Sequence, residues 1–211
     1  MTPRLPDSAK LALERLKAGN ARFISRDVNV DARVKHLDRG ELAKGQAPVA
    51  AILACADSRA PMEILFDEGF GDLFVVRVAG NVVAPSIVGS LEFAVGKLGV
   101  SLVVVCGHSN CGAVGATLAA VQGEGGAPTD TSIGDIVERI RPSVAELVHA
   151  GLTGDVLLQR AVRANVRLAA DHLRHGSTLL ERRVLGGELG IIGAEYQIET
   201  GKVDFFEEPG A

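Results

Sequence analysis

Three short apolar runs, spaced so that helical segments fit between them, constrain this chain most. Pro48 to Ala54 is a nearly pure apolar stretch, entered from a Gly/Pro approach and left through a polar turn, as a strand buried on both faces reads. Asp72 to Val78 and Ser101 to Cys106 repeat the pattern with β-branched residues, each followed by glycine-containing turns. Between them, Pro61 to Asp67 opens on a proline suited to a helix start, and Ile87 to Leu98 places Leu91, Val95 and Leu98 on one helical face. Strand and helix in alternation predict an α/β fold with a mainly parallel central sheet flanked by helices.

The ends of the chain add two elements. Residues 1–24 predict an amphipathic helical arm capped by Asp7 or Ser8, with Leu11, Leu13, Leu16 and Phe23 apolar. It precedes the first strand without a place in a βα unit, so packing on a partner subunit is expected, with packing on its own domain the alternative. Gly190 to Ile198 and Val203 to Phe206, joined across Glu199-Thr200-Gly201-Lys202, predict an antiparallel hairpin at the sheet edge. The stretch from Cys111 to Arg183 reads as helical, with breaks at Gly123 to Pro128 and at Pro142. At 211 residues with 47% hydrophobic content, the chain suits one domain over 1–211.

In open α/β sheets the working groups gather beyond the carboxyl ends of the strands. Cys55 follows the first run, and His108 and Cys111 follow the third, so all three are expected on one edge. Two thiolates and an imidazole suit a borderline-soft tetrahedral dication such as Zn2+, with a fourth position left for a carboxylate or water. Asp57 has two readings, as a fourth ligand or as an acceptor beside the metal. Arg59 can form a bidentate pair that draws Asp57 off the ion. Cys106, ending a buried run, reads as a packed thiol. His172 and His175, three apart on a charged helix, read as solvated, and His36 and His149 have no ligand-type neighbours. Glu207 and Glu208 read as a solvated tail.

Charge excludes some partners. With 22 basic against 26 acidic residues and no long run of one sign, no nucleic-acid surface is expected. No apolar run approaches the roughly 18 residues of a membrane span, and the first residues lack the apolar core of a secretory signal. Three cysteines without a disulfide pattern fit a reducing compartment. A cytoplasmic location is expected, or a periplasmic one if a leader was removed.

Cys-x-Asp-x-Arg followed by His-x-x-Cys on strand ends resembles the β class of carbonic anhydrases. Gly19-Asn20-x-Arg22-Phe23, Gly45-Gln46-x-Pro48, Phe74-Val75-Val76-Arg77-x-Ala79-Gly80-Asn81, Glu92-Phe93-Ala94-Val95 and Gly107-His108-x-x-Cys111-Gly112 extend the resemblance in order and spacing over most of Gly19 to Thr117. It implies a zinc lyase (carbonate dehydratase) that reversibly hydrates carbon dioxide to bicarbonate and a proton through a zinc-bound hydroxide. Cys55, His108 and Cys111 would hold the metal, the Asp57/Arg59 dyad would gate it, and Gln46, Phe74 and Gly112 would meet substrate, Gln46 across a subunit interface. Homodimers or dimers of dimers follow from the same resemblance. Phe93 stands where many members have Tyr, and Ile52 where members with a noncatalytic bicarbonate site have Trp; Arg77 and Tyr196 match other elements of that site. Because two thiolates cancel the dication's charge, activity is expected to rise toward alkaline pH. The alternatives are a carbonyl sulfide or carbon disulfide hydrolase of the same family and a noncatalytic zinc-binding module.

Overall fold

The computed structural model describes residues 5–28, 39–125 and 131–206. In chain order the elements are α1 (Asp7–Ser25), α2 (Arg39–Leu42), β1 (Ala50–Ala54), α3 (Met62–Leu65), β2 (Leu73–Arg77), a 3-10 turn (Ala79–Asn81) and α4 (Pro85–Lys97). They continue with β3 (Leu102–His108), α5 (Gly112–Gln122), α6 (Ser132–His149), α7 (Gly154–His175), α8 (Thr178–Leu185), β4 (Gly190–Tyr196) and β5 (Val203–Phe206). The five strands form one sheet in the order β2-β1-β3-β4-β5. β1 to β4 run parallel and β5 closes the edge antiparallel to β4, the expected α/β architecture with its edge hairpin.

Both faces of the sheet are covered, which is why β1 is apolar at every position and β3 is apolar from Leu102 to Cys106. On one face Ile52, Val104 and Ile192 pack with Leu13 and Leu16 of α1 and with Phe66. On the other, Leu53, Val103 and Val105 pack with Leu91 of α4 and with Leu173 and Leu180. Alternation along β3 sends Leu102, Val104 and Cys106 one way and Val103 and Val105 the other, the period-2 rule of a strand. A third apolar group lies beyond the carboxyl edge, where Cys55, Val82 and Cys111 meet Val114, Ile140, Val144 and Leu157 from α5, α6 and α7.

Several boundaries differ from the sequence reading. Neither Asp7 nor Ser8 caps α1: Pro6 occupies the N-cap with no side-chain hydrogen bond, and Asp7 lies inside the first turn, where its negative charge suits the helix dipole and it accepts from Lys10 at 2.7 Å. Leu11 is 73% exposed, because it sits two positions, about 200° of helix rotation, from Leu13. α1 packs on its own sheet through Ala9, Leu13 and Leu16. α3 is shorter than Pro61 to Asp67. Pro142 does not break its helix: α6 runs through it, held by fully buried Ile140 and Val144 on either side, and the chain turns at Gly151, φ +77°. The break at Gly123 (φ +76°) is present, and its continuation to Pro128 lies outside the described residues. So do residues 1–4 of the arm, His36, Glu207 and Glu208.

One polar tie crosses the core. Asn20 of α1, 4% exposed, donates to the carbonyls of Leu65 (3.2 Å) and Gly201 (2.9 Å) and accepts from the Val203 amide (2.9 Å). A buried amide is kept there because each of its bonds satisfies a backbone group that water cannot reach.

Candidate metal centre

The carboxyl ends of β1 and β3 are neighbours, since Ala54 pairs with Cys106. Cys55 leaves β1, His108 ends β3, and Cys111 is the N-cap of α5, so the sheet brings the three together. One donor atom from each lies within 4.8 Å of the others, and all three residues are buried. β3 extends two residues further than its apolar run because Gly107 and His108 continue the ladder with Glu195 and Tyr196 of β4. His108 is therefore held by a strand backbone.

Local bonds orient each donor. His108 Nδ1 contacts the Ser109 carbonyl at 2.9 Å, which assigns the proton to Nδ1 and leaves Nε2 as the lone-pair nitrogen. Nε2 is buried without a hydrogen-bond partner. A buried imidazole nitrogen costs free energy unless something takes its lone pair, and its position beside two sulfurs fits a dication there. Cys55 Sγ accepts from the Gly80 amide at 3.3 Å. That approach requires glycine: Gly80 has φ +66°, and an added Cβ would stand 2.7 Å from Ile140 Cδ1. The Gly80 carbonyl is in turn held by buried Asn165 at 2.8 Å.

The two thiols have opposite acidities. A hydrogen bond from Cys111 pulls Cys55 down to about 4, helped against burial by His108 and the Gly80 amide. The same bond, with burial and the Cys55 charge, pushes Cys111 far up. One thiolate is readily formed and the second requires a cation. Burial lowers the His108 pKa, but the Cys55 thiolate and the Ser109 carbonyl outweigh it and the net shift is upward.

Asp57 faces Arg59. Arg59 Nε donates to Oδ1 at 2.9 Å, Nη2 to Oδ2 at 2.8 Å, and the Arg59 amide to Oδ1 at 2.9 Å. These bonds, the guanidinium first, hold the carboxyl well below the usual carboxylate range. Oδ2 stands 3.8 Å from His108 Nε2, so Asp57 borders the donor cluster while its bidentate partner holds it.

Three contributors escaped the sequence reading: the Gly80 amide, Glu199, and Arg77 in the role it takes here. Arg77 donates to the carbonyls of Cys55 (3.0 Å) and Asp57 (2.5 Å), bracing the turn from the end of β2. The pairing Ala54↔Arg77, implied by parallel neighbouring strands, was the available signal. Gly112, the first residue of α5, is exposed beside Cys111. Gln46 and Phe74 do not meet the cluster: Gln46 is exposed on the stretch entering β1, and Phe74 pairs with Ala51, roughly 13 Å of strand from Cys55. Phe74 instead stacks at a tilt on Phe93, centroids 6.3 Å apart. Cys106 is buried and packed. His175 is exposed among Asp171 and Glu181.

A mainly parallel α/β sheet that gathers two cysteines and a histidine at its carboxyl edge defines the class: an α/β protein with a buried Cys-His-Cys group that could hold a metal ion. A family model described as carbonic anhydrase matches residues 50–203. Carbonic anhydrase 2 of Mycobacterium tuberculosis is 44% identical over 193 residues, covering 90% of this chain and 89% of that protein. The carbonic anhydrase of Mycolicibacterium smegmatis is 38% identical over 202 residues, covering 95% of each. Among solved structures, the β-carbonic anhydrase CafA of Aspergillus fumigatus superposes with a TM-score of 0.73 at 25% identity, covering 97% of this chain and 93% of that one. The chain belongs to the β-carbonic anhydrase family.

Proposed function

We propose that this protein catalyses the reversible hydration of carbon dioxide to bicarbonate and a proton, with zinc held by Cys55, His108 and Cys111. The observation that carries the reading is the convergence of those three buried donors within 4.8 Å around a His108 Nε2 without any hydrogen bond. When bound, zinc supplies the Lewis acidity that makes water nucleophilic near neutral pH. The two cysteines supply the anionic charge, and His108 stays neutral and oriented through its Nδ1 bond to Ser109.

Asp57 is the orienting acceptor. Arg59 donates three hydrogen bonds to the carboxylate, and the low pKa of Asp57 means that it accepts a hydrogen bond from water or a bicarbonate hydroxyl without taking the proton. The Arg59 pair also favours a catalytic over a closed noncatalytic site, because it holds Asp57 away from the donors. Gln46 and Phe74, remote from the cluster of their own chain, are assigned to the site of a second copy. Exposed Leu11, Ile24, Phe70 and Phe93 give that copy apolar surface to cover, in a dimer or dimer of dimers. No helix among the described residues is long and apolar enough to cross a membrane; a cytoplasmic location accords with three free cysteines.

Stopped-flow assay of carbon dioxide hydration tests the reading, with a rate expected to rise from neutral to mildly alkaline pH. Asp57→Asn keeps the shape but donates from one end, so kcat/KM is expected to fall by about 100-fold with zinc retained. Absence of hydration activity in zinc-loaded protein would overturn the proposal. The pair of half-buried Phe74 and exposed Phe93 gives an apolar wall that suits carbonyl sulfide as a second substrate, and the same assay with carbonyl sulfide separates the two.

Metal uptake should be proton-linked. The thiol of Cys111 is protonated at neutral pH in the metal-free pair, so zinc must displace that proton. Zinc affinity is expected to tighten about tenfold per pH unit through neutrality. Isothermal titration in buffers of different ionisation enthalpy reads the proton release; none would contradict the assignment of Cys111.

A further inference from the structure

We propose that Glu199 is a positioning residue for the metal centre, its single carboxylate gripping both residues that separate His108 from Cys111. The inference rests on the reading that Cys55, His108 and Cys111 hold zinc. Glu199 lies in the β4–β5 turn, far from the donors in sequence. Its Oε2 accepts from the Ser109 hydroxyl at 3.1 Å and its Oε1 from Asn110 Nδ2 at 2.8 Å.

Ser109 is tied at every polar atom. Its amide donates to the Tyr196 carbonyl at 2.8 Å, its hydroxyl accepts from the Ile198 amide at 3.0 Å and donates to Glu199, and its carbonyl receives His108 Nδ1. The last contact sets the plane of the imidazole, so a displaced Ser109 would turn Nε2 away from the sulfurs. Asn110 sits at φ +56°, a left-handed conformation that costs a non-glycine residue roughly 1 kcal/mol. That bend is what returns the chain to Cys111 in extended conformation (φ −69°, ψ 116°) at the head of α5. Glu199 holds the Asn110 side chain in the bend.

The grip has a firm base. Gly201 donates to the Gln197 carbonyl at 2.9 Å and Gln197 to that of Lys202 at 2.8 Å, closing the turn that carries Glu199. Buried Asn20 of α1 then bonds both Gly201 and Val203. The carboxylate is thus anchored to the sheet edge and to α1, which lets it transmit their rigidity to the His-x-x-Cys turn. Glu199 is exposed, and each bond alone adds little stability in water. Its contribution is geometric, and partners behind metal ligands of this kind alter affinity by about 10- to 100-fold.

The test uses the zinc-loaded full chain in competition with a chromogenic chelator, and the cobalt(II)-substituted protein by visible absorption. Glu199→Ala is expected to weaken zinc retention about tenfold and to change the energy or intensity of the cobalt d–d bands. Glu199→Gln, which keeps one acceptor oxygen, should fall between it and wild type. Thr200→Ala removes the hydroxyl that accepts from the Lys202 amide at 3.3 Å within the same turn, and should match wild type in both readouts. Wild-type retention and spectra in Glu199→Ala would overturn the inference, as would a Thr200→Ala variant as impaired as Glu199→Ala. If the wild-type chain itself takes up no zinc, the functional reading falls and this one with it; tight zinc in wild type and Glu199→Ala alike removes the grip only.

Discussion

Cys55→Ser is expected to abolish zinc retention and to lower kcat/KM for carbon dioxide hydration by about 1000-fold or more, whereas Cys106→Ser leaves both near wild type. Both cysteines are buried and lie at neighbouring strand ends, so accessibility alone does not mark the ligand; their surroundings do. Cys55 Sγ receives the Gly80 amide and a hydrogen bond from Cys111, and it ionises at about 4. A serine hydroxyl there stays neutral and offers a harder oxygen, so a dication would keep one anionic donor of two. Cys106 faces the α1 layer among Val104, Ile192 and Ala194. Burial and the nearby Glu195 charge push its thiol up to about 12, and it packs in that layer rather than in the group formed by Cys55, His108 and Cys111. Its serine variant buries a hydroxyl where Cys106 Sγ now contacts the Gly107 carbonyl at 3.5 Å, a cost of about 1–2 kcal/mol in stability. Metal content per protomer, measured beside the stopped-flow rate, checks both. Zinc retained by Cys55→Ser and lost by Cys106→Ser would place the donor on the wrong strand.

The pattern of success in the sequence reading follows the range of the forces involved. β1 and the first part of β3 were legible because a strand covered on both faces is apolar, and β2, at the sheet edge, because Leu73 to Val76 is an apolar run with β-branched and aromatic residues, both purely local signatures. The last two residues of β3 were not, since Gly107 and His108 owe their strand conformation to pairing with Glu195 and Tyr196, a long-range match that no window of ten residues contains. Pro142 misled because its missing donor is a local penalty, while the burial of Ile140 and Val144 that outweighs it comes from the tertiary fold. The convergence of Cys55, His108 and Cys111 was legible because their side chains are few in kind and chemically pointed. The Asp57–Arg59 pair followed from spacing alone. The Gly80 amide, the Arg77 brace and the Glu199 carboxylate were hidden for a different reason: each acts on backbone or on small polar side chains, from a segment that only the topology brings near.

Gly19→Ala is expected to destabilise the protein by about 3 kcal/mol or more, and the sign is what makes the result informative. Helix propensity alone predicts a gain of roughly 1 kcal/mol, because Gly19 lies in the interior of α1 and alanine is the better helix former. Packing predicts the reverse. An added Cβ would stand 1.8 Å from the Phe66 carbonyl oxygen and 2.7 Å from its carbon, and both are backbone, with no rotamer to yield. α1 would have to back away from the end of α3, and the contacts on either side of Gly19 depend on that approach. Leu16 is fully buried one turn earlier, Arg22 bonds Asp67 at 2.6 Å, and Asn20 reaches Leu65, Gly201 and Val203. Losing the Asn20 bonds would also loosen the hairpin that carries Glu199, so zinc retention should fall together with the urea midpoint. An unchanged or raised midpoint in urea would show that α1 does not lie against Phe66 as described, and would detach the helical arm from the metal centre it is argued to support.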